Sequence, residues 1–143
     1  MNYYSLNHAA PNTTFENAVI KGLAPDRGLY FPETITALDP YFFETIETLS
    51  NEEIAYEAIK QFISHEIPEA ILKKIVSETL SFEFPVIKLT DSISTLELFH
   101  GPTMAFKDVG ARFMARCLGY FNKNNSNEVT AVSYTHLTLP TKQ

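Results

Sequence analysis

Apolar and polar positions along this chain follow a helical rhythm up to about residue 80 and a mixed one after it. "FENAVI" carries a short helical pattern from Phe15 to Ile20, and the breakers Gly22, Pro25, Gly28 and Pro32 lead into a brief extended piece, "GLYFP". Asp39 ahead of Pro40 is an N-cap followed by proline at the first helical position, predicting a helix from Pro40 to Leu49. Ser50 and Glu53 have capping-box spacing, and Ile54, Ala58, Ile59, Phe62 and Ile63 then fall on one helical face. Pro68 opens a further helix in which Ile71, Leu72, Ile75 and Val76 recur at three- and four-residue spacing.

The rhythm then shortens. "FPVIKLT" and "STLELFH" read as strands, with "DSIS" as a hairpin-like link between them. A long helix is predicted from Met104 to Phe121, with Phe106, Val109, Phe113, Met114, Cys117 and Leu118 toward the core. The polar loop "NKNNSN" and a buried strand, "EVTAV", follow. Strand, helix, strand is the right-handed crossover unit of a parallel sheet, so the fold class is α/β. Such a sheet needs further strands and cover on both faces, and only eleven residues follow "EVTAV". The expected sheet is therefore incomplete.

Composition narrows the function classes. With 45% hydrophobic and 20% charged residues, the 143-residue chain has a globular composition. A net charge of -6 disfavours nucleic acid and anionic membrane as partners, because Lys and Arg are not in excess. A small-molecule partner fits better. The single cysteine, Cys117, excludes an internal disulfide, and its place on an apolar helical face predicts an inert buried thiol. "MNYYSLNHAAPN" has no basic stretch followed by an apolar one, and no apolar run approaches a membrane span. A cytoplasmic protein is expected. His8, His65, His100 and His136 lack metal-ligand spacing, so no metal is expected. Tyr3, Tyr4, Tyr30 and Phe31 read as core or rim aromatics.

The candidate chemistry centres on Lys107. In "LELFHGPTMAFKDVGARFMARCLGYF" this lysine stands one turn into the predicted helix, at its positive end, among apolar neighbours. Desolvation by Met104 and Phe106, the helix N-terminus and the cation Arg112 all favour an uncharged amine, the form that attacks an aldehyde. Gly101 lets backbone approach a flat ligand, and Thr103 can act as N-cap or contact an anion. From spacing alone, a snorkelling surface lysine beside an ordinary turn explains the same residues.

Three stretches carry a family resemblance. "LELFHGPTMAFKDVGARFMA" resembles the pyridoxal-phosphate lysine segment of the threonine synthase family, and "NTTFENAVIKGLAPDRGLYFPETI" resembles its N-terminal signature. "NEEIAYEAIKQFISHEIPEAILKKIV" is similar in order and spacing, so the resemblance runs from residue 2 to about 132. It implies the N-terminal part of a pyridoxal-phosphate enzyme of the tryptophan-synthase-β-like fold. The implied reaction converts O-phospho-L-homoserine and water to L-threonine and phosphate, through a Schiff base on Lys107. His100 and Thr103 would be substrate contacts, and Asp108 would offset the helix dipole. Oligomeric state does not follow. Residues 133–143, "SYTHLTLPTKQ", depart from the family pattern: they hold no glycine to shape a phosphate cradle, and resemble translated adapter or vector sequence. Residues 1–132 are thus the expected family part, inactive alone. Another pyridoxal-phosphate lyase of the same fold, a dehydratase or phospho-lyase relative, and a non-catalytic binding fragment are the alternatives.

Overall fold

Capping side chains and prolines decide where the helices begin. In the computed structural model, which describes residues 1–63 and 65–123, Thr14 caps helix α1 (Phe15–Lys21) by accepting from the Asn17 amide. The Asp39 carboxylate accepts from the Tyr41 amide at 2.8 Å to start α2 (Pro40–Thr45). Ser50 and Glu53 make the expected reciprocal pair at the head of α3 (Asn51–Ile63): the Glu53 amide donates to Ser50 Oγ at 3.2 Å, and the Ser50 amide donates to Glu53 Oε2 at 2.8 Å. Pro68 caps α4 (Glu69–Thr79) through its carbonyl, which accepts from Leu72.

Two predicted helix boundaries move. The predicted Pro40–Leu49 helix is α-helical only to Thr45 and then tightens into a 3₁₀ turn, Ile46–Thr48. The Thr45 hydroxyl, donating to the Tyr41 carbonyl at 3.0 Å, competes with regular helix at that point. Helix α5 spans Asp108–Phe121 rather than starting at Met104. Met104 has a positive φ of 55°, which an α-helix of L-residues does not admit, and residues 101–108 instead form successive tight turns.

Strand β1 (Tyr3–Ser5), not anticipated from the sequence, pairs antiparallel with β2 (Tyr30–Pro32), Tyr4 opposite Phe31. Strands β3 (Val86–Lys88) and β4 (Ser94–Leu96) form the expected hairpin, with Ile87 opposite Thr95. Both pairings in the described residues are antiparallel. The partner strand of the parallel crossover, "EVTAV", and the segment 133–143 lie outside the described residues.

The core sits where α4 packs on α3 and α5, and α1 closes against α5. Ile63, Ile67, Leu72, Ile75, Val76 and Cys117 are buried there, flanked by Phe15, Ile59, Phe113 and Phe121. The apolar face of α5 is therefore shifted from the predicted one. Cys117 is fully buried and Phe113 reaches the core, whereas Met114 is 50% exposed and Phe106, ahead of the helix, is 66% exposed. Burial raises the Cys117 thiol pKa to about 12, consistent with an inert group. Arg112 and Arg116 fix the direction of α5. Arg112 Nη2 donates to the Glu78 carbonyl at 2.6 Å and to Ser81 Oγ at 2.8 Å, and Arg116 Nε pairs with Glu78 Oε2 at 2.8 Å.

The N-terminal ribbon is tied to the same core. The Tyr3 hydroxyl donates to the Phe62 carbonyl at 2.6 Å, and burial pushes its pKa up to about 12, with the nearby Glu66 charge adding. The Glu66 carboxylate accepts from the Phe15 and Glu16 amides at 3.1 and 2.8 Å, completing the cap of α1 from about fifty residues away.

Candidate active site: the turn before α5

The segment from Leu96 to Asp108 carries every residue singled out for chemistry. After β4, the Glu97 amide donates to the Pro85 carbonyl at 3.0 Å, keeping the chain beside β3. His100 Nε2 lies 2.7 Å from Glu97 Oε2, and its ring stacks on Phe99 with centroids 4.7 Å apart. The Gly101 carbonyl then accepts from the Met104 amide at 3.0 Å, and the Ala105 carbonyl from the Asp108 amide at 3.0 Å. These turns deliver Lys107 at the N-cap of α5, where its carbonyl accepts from Ala111 at 2.9 Å.

Asp108 is the organising group. It is only 5% exposed, and its Oδ2 accepts from the Thr103 amide at 2.9 Å while Oδ1 accepts from the Thr103 hydroxyl at 2.5 Å. Gly101 lies directly against it: a Cβ on that glycine would come within 2.4 Å of Oδ2. Thr103's hydrogen bonds are the main cause holding the Asp108 carboxyl below its ordinary value, outweighing the desolvation that opposes them, and Arg112 adds its positive charge.

The sequence reading of these positions is adjusted in three ways. Thr103 is not the N-cap of α5; Lys107 occupies that position, and Thr103 gives both of its donors to Asp108. Its hydroxyl keeps acceptor capacity only. Arg112 does not turn to Lys107 but reaches back to the end of α4. Met104 and Phe106 are 77% and 66% exposed, so the described residues do not supply the expected desolvation of Lys107. The lysine side chain is exposed, with no hydrogen bond or ion pair among the described residues. Sequence reasoning missed Glu97 as the partner of His100 and Asp108 as the partner of Thr103. The three-residue spacing of Glu97 and His100 was a readable signal; the burial of Asp108 had none.

Among the described residues no group of three or more His, Cys, Asp or Glu is placed to hold a metal ion, and no helix is long and apolar enough to cross a membrane. A broad open cleft of about 950 Å³ lies between α2, α3 and α4, lined by residues such as Tyr41, Tyr56 and Lys73, and shares no residue with the Lys107 turn.

A family model described as "Threonine synthase N terminus" matches residues 2–80. A threonine synthase of Buchnera aphidicola (subspecies Acyrthosiphon pisum) is 40% identical over 136 residues, covering 94% of this chain and 32% of the relative. That of Haemophilus influenzae is 42% identical over 118 residues, covering 82% and 27%. Among solved structures, threonine synthase from Brucella melitensis with pyridoxal phosphate bound superposes with a TM-score of 0.81 at 34% identity, over 86% of this chain and 28% of that one. The Escherichia coli enzyme gives 0.79 at 35% identity, over 85% and 28%. The chain thus spans less than a third of the length of these relatives. Together, the family model's match over more than half of the chain and the relatives' 40% and 42% identity over most of its length show that this chain belongs to the threonine synthase family.

Proposed function

We propose that the whole protein built on this chain is a pyridoxal-phosphate-dependent threonine synthase, converting O-phospho-L-homoserine and water to L-threonine and phosphate, with Lys107 as the residue that holds the cofactor. The observation that carries this reading is the threonine synthase match along the chain, with Lys107 at the head of α5 beside a turn held by Thr103 and Asp108. When bound, pyridoxal phosphate supplies an electron sink that acidifies the hydrogens of an attached amino acid. The chain's own residues do the rest. Lys107 would hold the cofactor and, with its amine freed, would take and return protons at Nζ. His100, held by Glu97, and Thr103, held by Asp108, are the polar side chains of the same turn through which substrate would be oriented. Residues 1–132 form the family part of the chain, the substrate is a small molecule, and the compartment is the cytoplasm.

A full-length enzyme carrying residues 1–132, joined to the C-terminal part of a relative, tests the assignment. Borohydride reduction and peptide mapping should place a pyridoxyl adduct on Lys107, and Lys107→Ala should abolish threonine formation with the far-UV spectrum unchanged. An adduct on another lysine, or release of a keto acid in place of threonine, overturns the reading. The 143-residue chain alone should form no threonine, because it spans only 32% of the relative's length and catalysis needs a full set of groups that position and stabilise the reacting atoms.

A further inference from the structure

We propose that Asp108 is a positioning residue for Lys107, acting as a latch that closes the 101–108 turn and sets the direction in which the lysine leaves α5. The inference rests on the reading of Lys107 as the cofactor-holding residue, and adds a role for its neighbour.

A carboxylate in the first turn of a helix ordinarily faces water and complements the helix dipole. Asp108 does neither in the ordinary way, being almost wholly buried with both oxygens turned back along the chain. Its oxygens grip both donors of Thr103, five residues earlier, one from the backbone and one from the side chain. Gly101, two residues earlier still, leaves the space its carboxylate fills. Between these fixed points the chain passes through Met104 in a left-handed conformation, at φ 55°, which a non-glycine residue holds only when its surroundings enforce it. Residues 101, 103, 104 and 108 thus form one closed unit. Lys107 is the last residue inside that unit and the cap of the helix outside it. Without the carboxylate, Thr103 loses both of its acceptors and Met104 is held in its left-handed conformation only by the bond from its amide to the Gly101 carbonyl, while α5 remains anchored through Cys117, Arg112 and Arg116. The consequence of removing Asp108 is therefore local to the presentation of Lys107.

The test uses the full-length enzyme described above. Asp108→Ala and Thr103→Val should each lower the rate of pyridoxyl labelling of Lys107 by about ten- to a hundredfold, the upper end being the cost of misplacing a reacting group by about 1 Å. Thr103→Ser, which keeps both donors, should recover most of the labelling rate that Thr103→Val loses, and Gly101→Ala should behave as Asp108→Ala. Exchange of the Thr103 amide with solvent should accelerate in Asp108→Ala and stay slow in Thr103→Ser, a readout independent of catalysis. If Asp108→Ala fails to fold, as judged by far-UV circular dichroism, the Thr103→Val and Thr103→Ser pair decides. Labelling of Lys107 at an unchanged rate in folded Asp108→Ala or Thr103→Val overturns the latch and leaves the cofactor assignment standing. Labelling of a different lysine in the unsubstituted enzyme overturns the assignment and the latch with it.

Discussion

Two aspartates at tight turns, Asp26 and Asp108, show how single residues shape this molecule. Asp26 Oδ1 accepts from the Ser5 hydroxyl at 2.6 Å and the Gly28 amide at 3.0 Å, while Oδ2 accepts from the Ala9 amide at 2.9 Å. Ser5 is fully buried, and a Cβ on Gly28 would stand 2.0 Å from its Oγ. Gly28→Ala should therefore destabilise the chain by about 1–3 kcal/mol, the usual cost of overpacking. Chemical denaturation checks this, and Ser5→Ala in the same chain should recover part of the loss by removing the clashing oxygen. Hydrogen bonds, led by that from Ser5 in one case and from Thr103 in the other, lower the pKa of Asp26 and Asp108 from the ordinary 3.8. A carboxyl with a depressed folded pKa contributes stability that is complete above its unfolded value and is lost as pH falls through the folded one. In an acid titration followed by NMR, the Ala9 and Thr103 amides should shift with midpoints below 3.8. Midpoints at or above it would remove these hydrogen bonds from the account.

Among the elements, helix starts marked by local residues were legible in the sequence, α1 included, while contacts made from a distance were not. The Asp39–Pro40 and Ser50–Glu53 signals placed α2 and α3 because each cap lies within three residues of the amide it serves. The start of α5 was placed four residues early because apolar periodicity continues through Met104 and Phe106 while the backbone does not. Strand β1 went unread since its three residues are held by Tyr30–Pro32 and, at Tyr3, by Thr13 as well, partners that no local pattern announces. The motif around Lys107 singled it out in the sequence. The arrangement that holds its turn was not legible there, because an acidic residue at a helix start reads equally well as a solvated dipole partner. Glu66 is the strongest long-range case. Glu66→Ala would strand the Phe15 and Glu16 amides and should cost about 1 kcal/mol, near the usual effect of losing a helix N-cap. Amide exchange locates the effect: protection should fall at residues 15–17 and hold at the start of α3, whereas a uniform loss would mean that Glu66 acts on the whole core.

At the scale of the molecule, apolar surface is divided unevenly. The four helices α1, α3, α4 and α5 share a core, while the hairpin and the turn after it leave Val86, Leu89, Ile93, Leu96, Phe99 and Phe106 exposed. An exposed patch of this kind promotes self-association of the isolated chain. Replacing Leu89 and Ile93 together by lysine should reduce the associated fraction in sedimentation without changing helix content; an unchanged fraction would direct attention away from the hairpin. The bonds linking the N-terminus to residues 62–66 bear on how the chain is made. Tyr3 waits for the Phe62 carbonyl, and the amides of Phe15 and Glu16 wait for Glu66. During synthesis, which proceeds at roughly 5–20 residues per second, the first helix leaves the ribosome several seconds before the carboxylate that completes it. Over that interval the opening ribbon and α1 are unfinished on the nascent chain, and the order of translation, rather than local helix strength, sets when the N-terminal part of this chain can close.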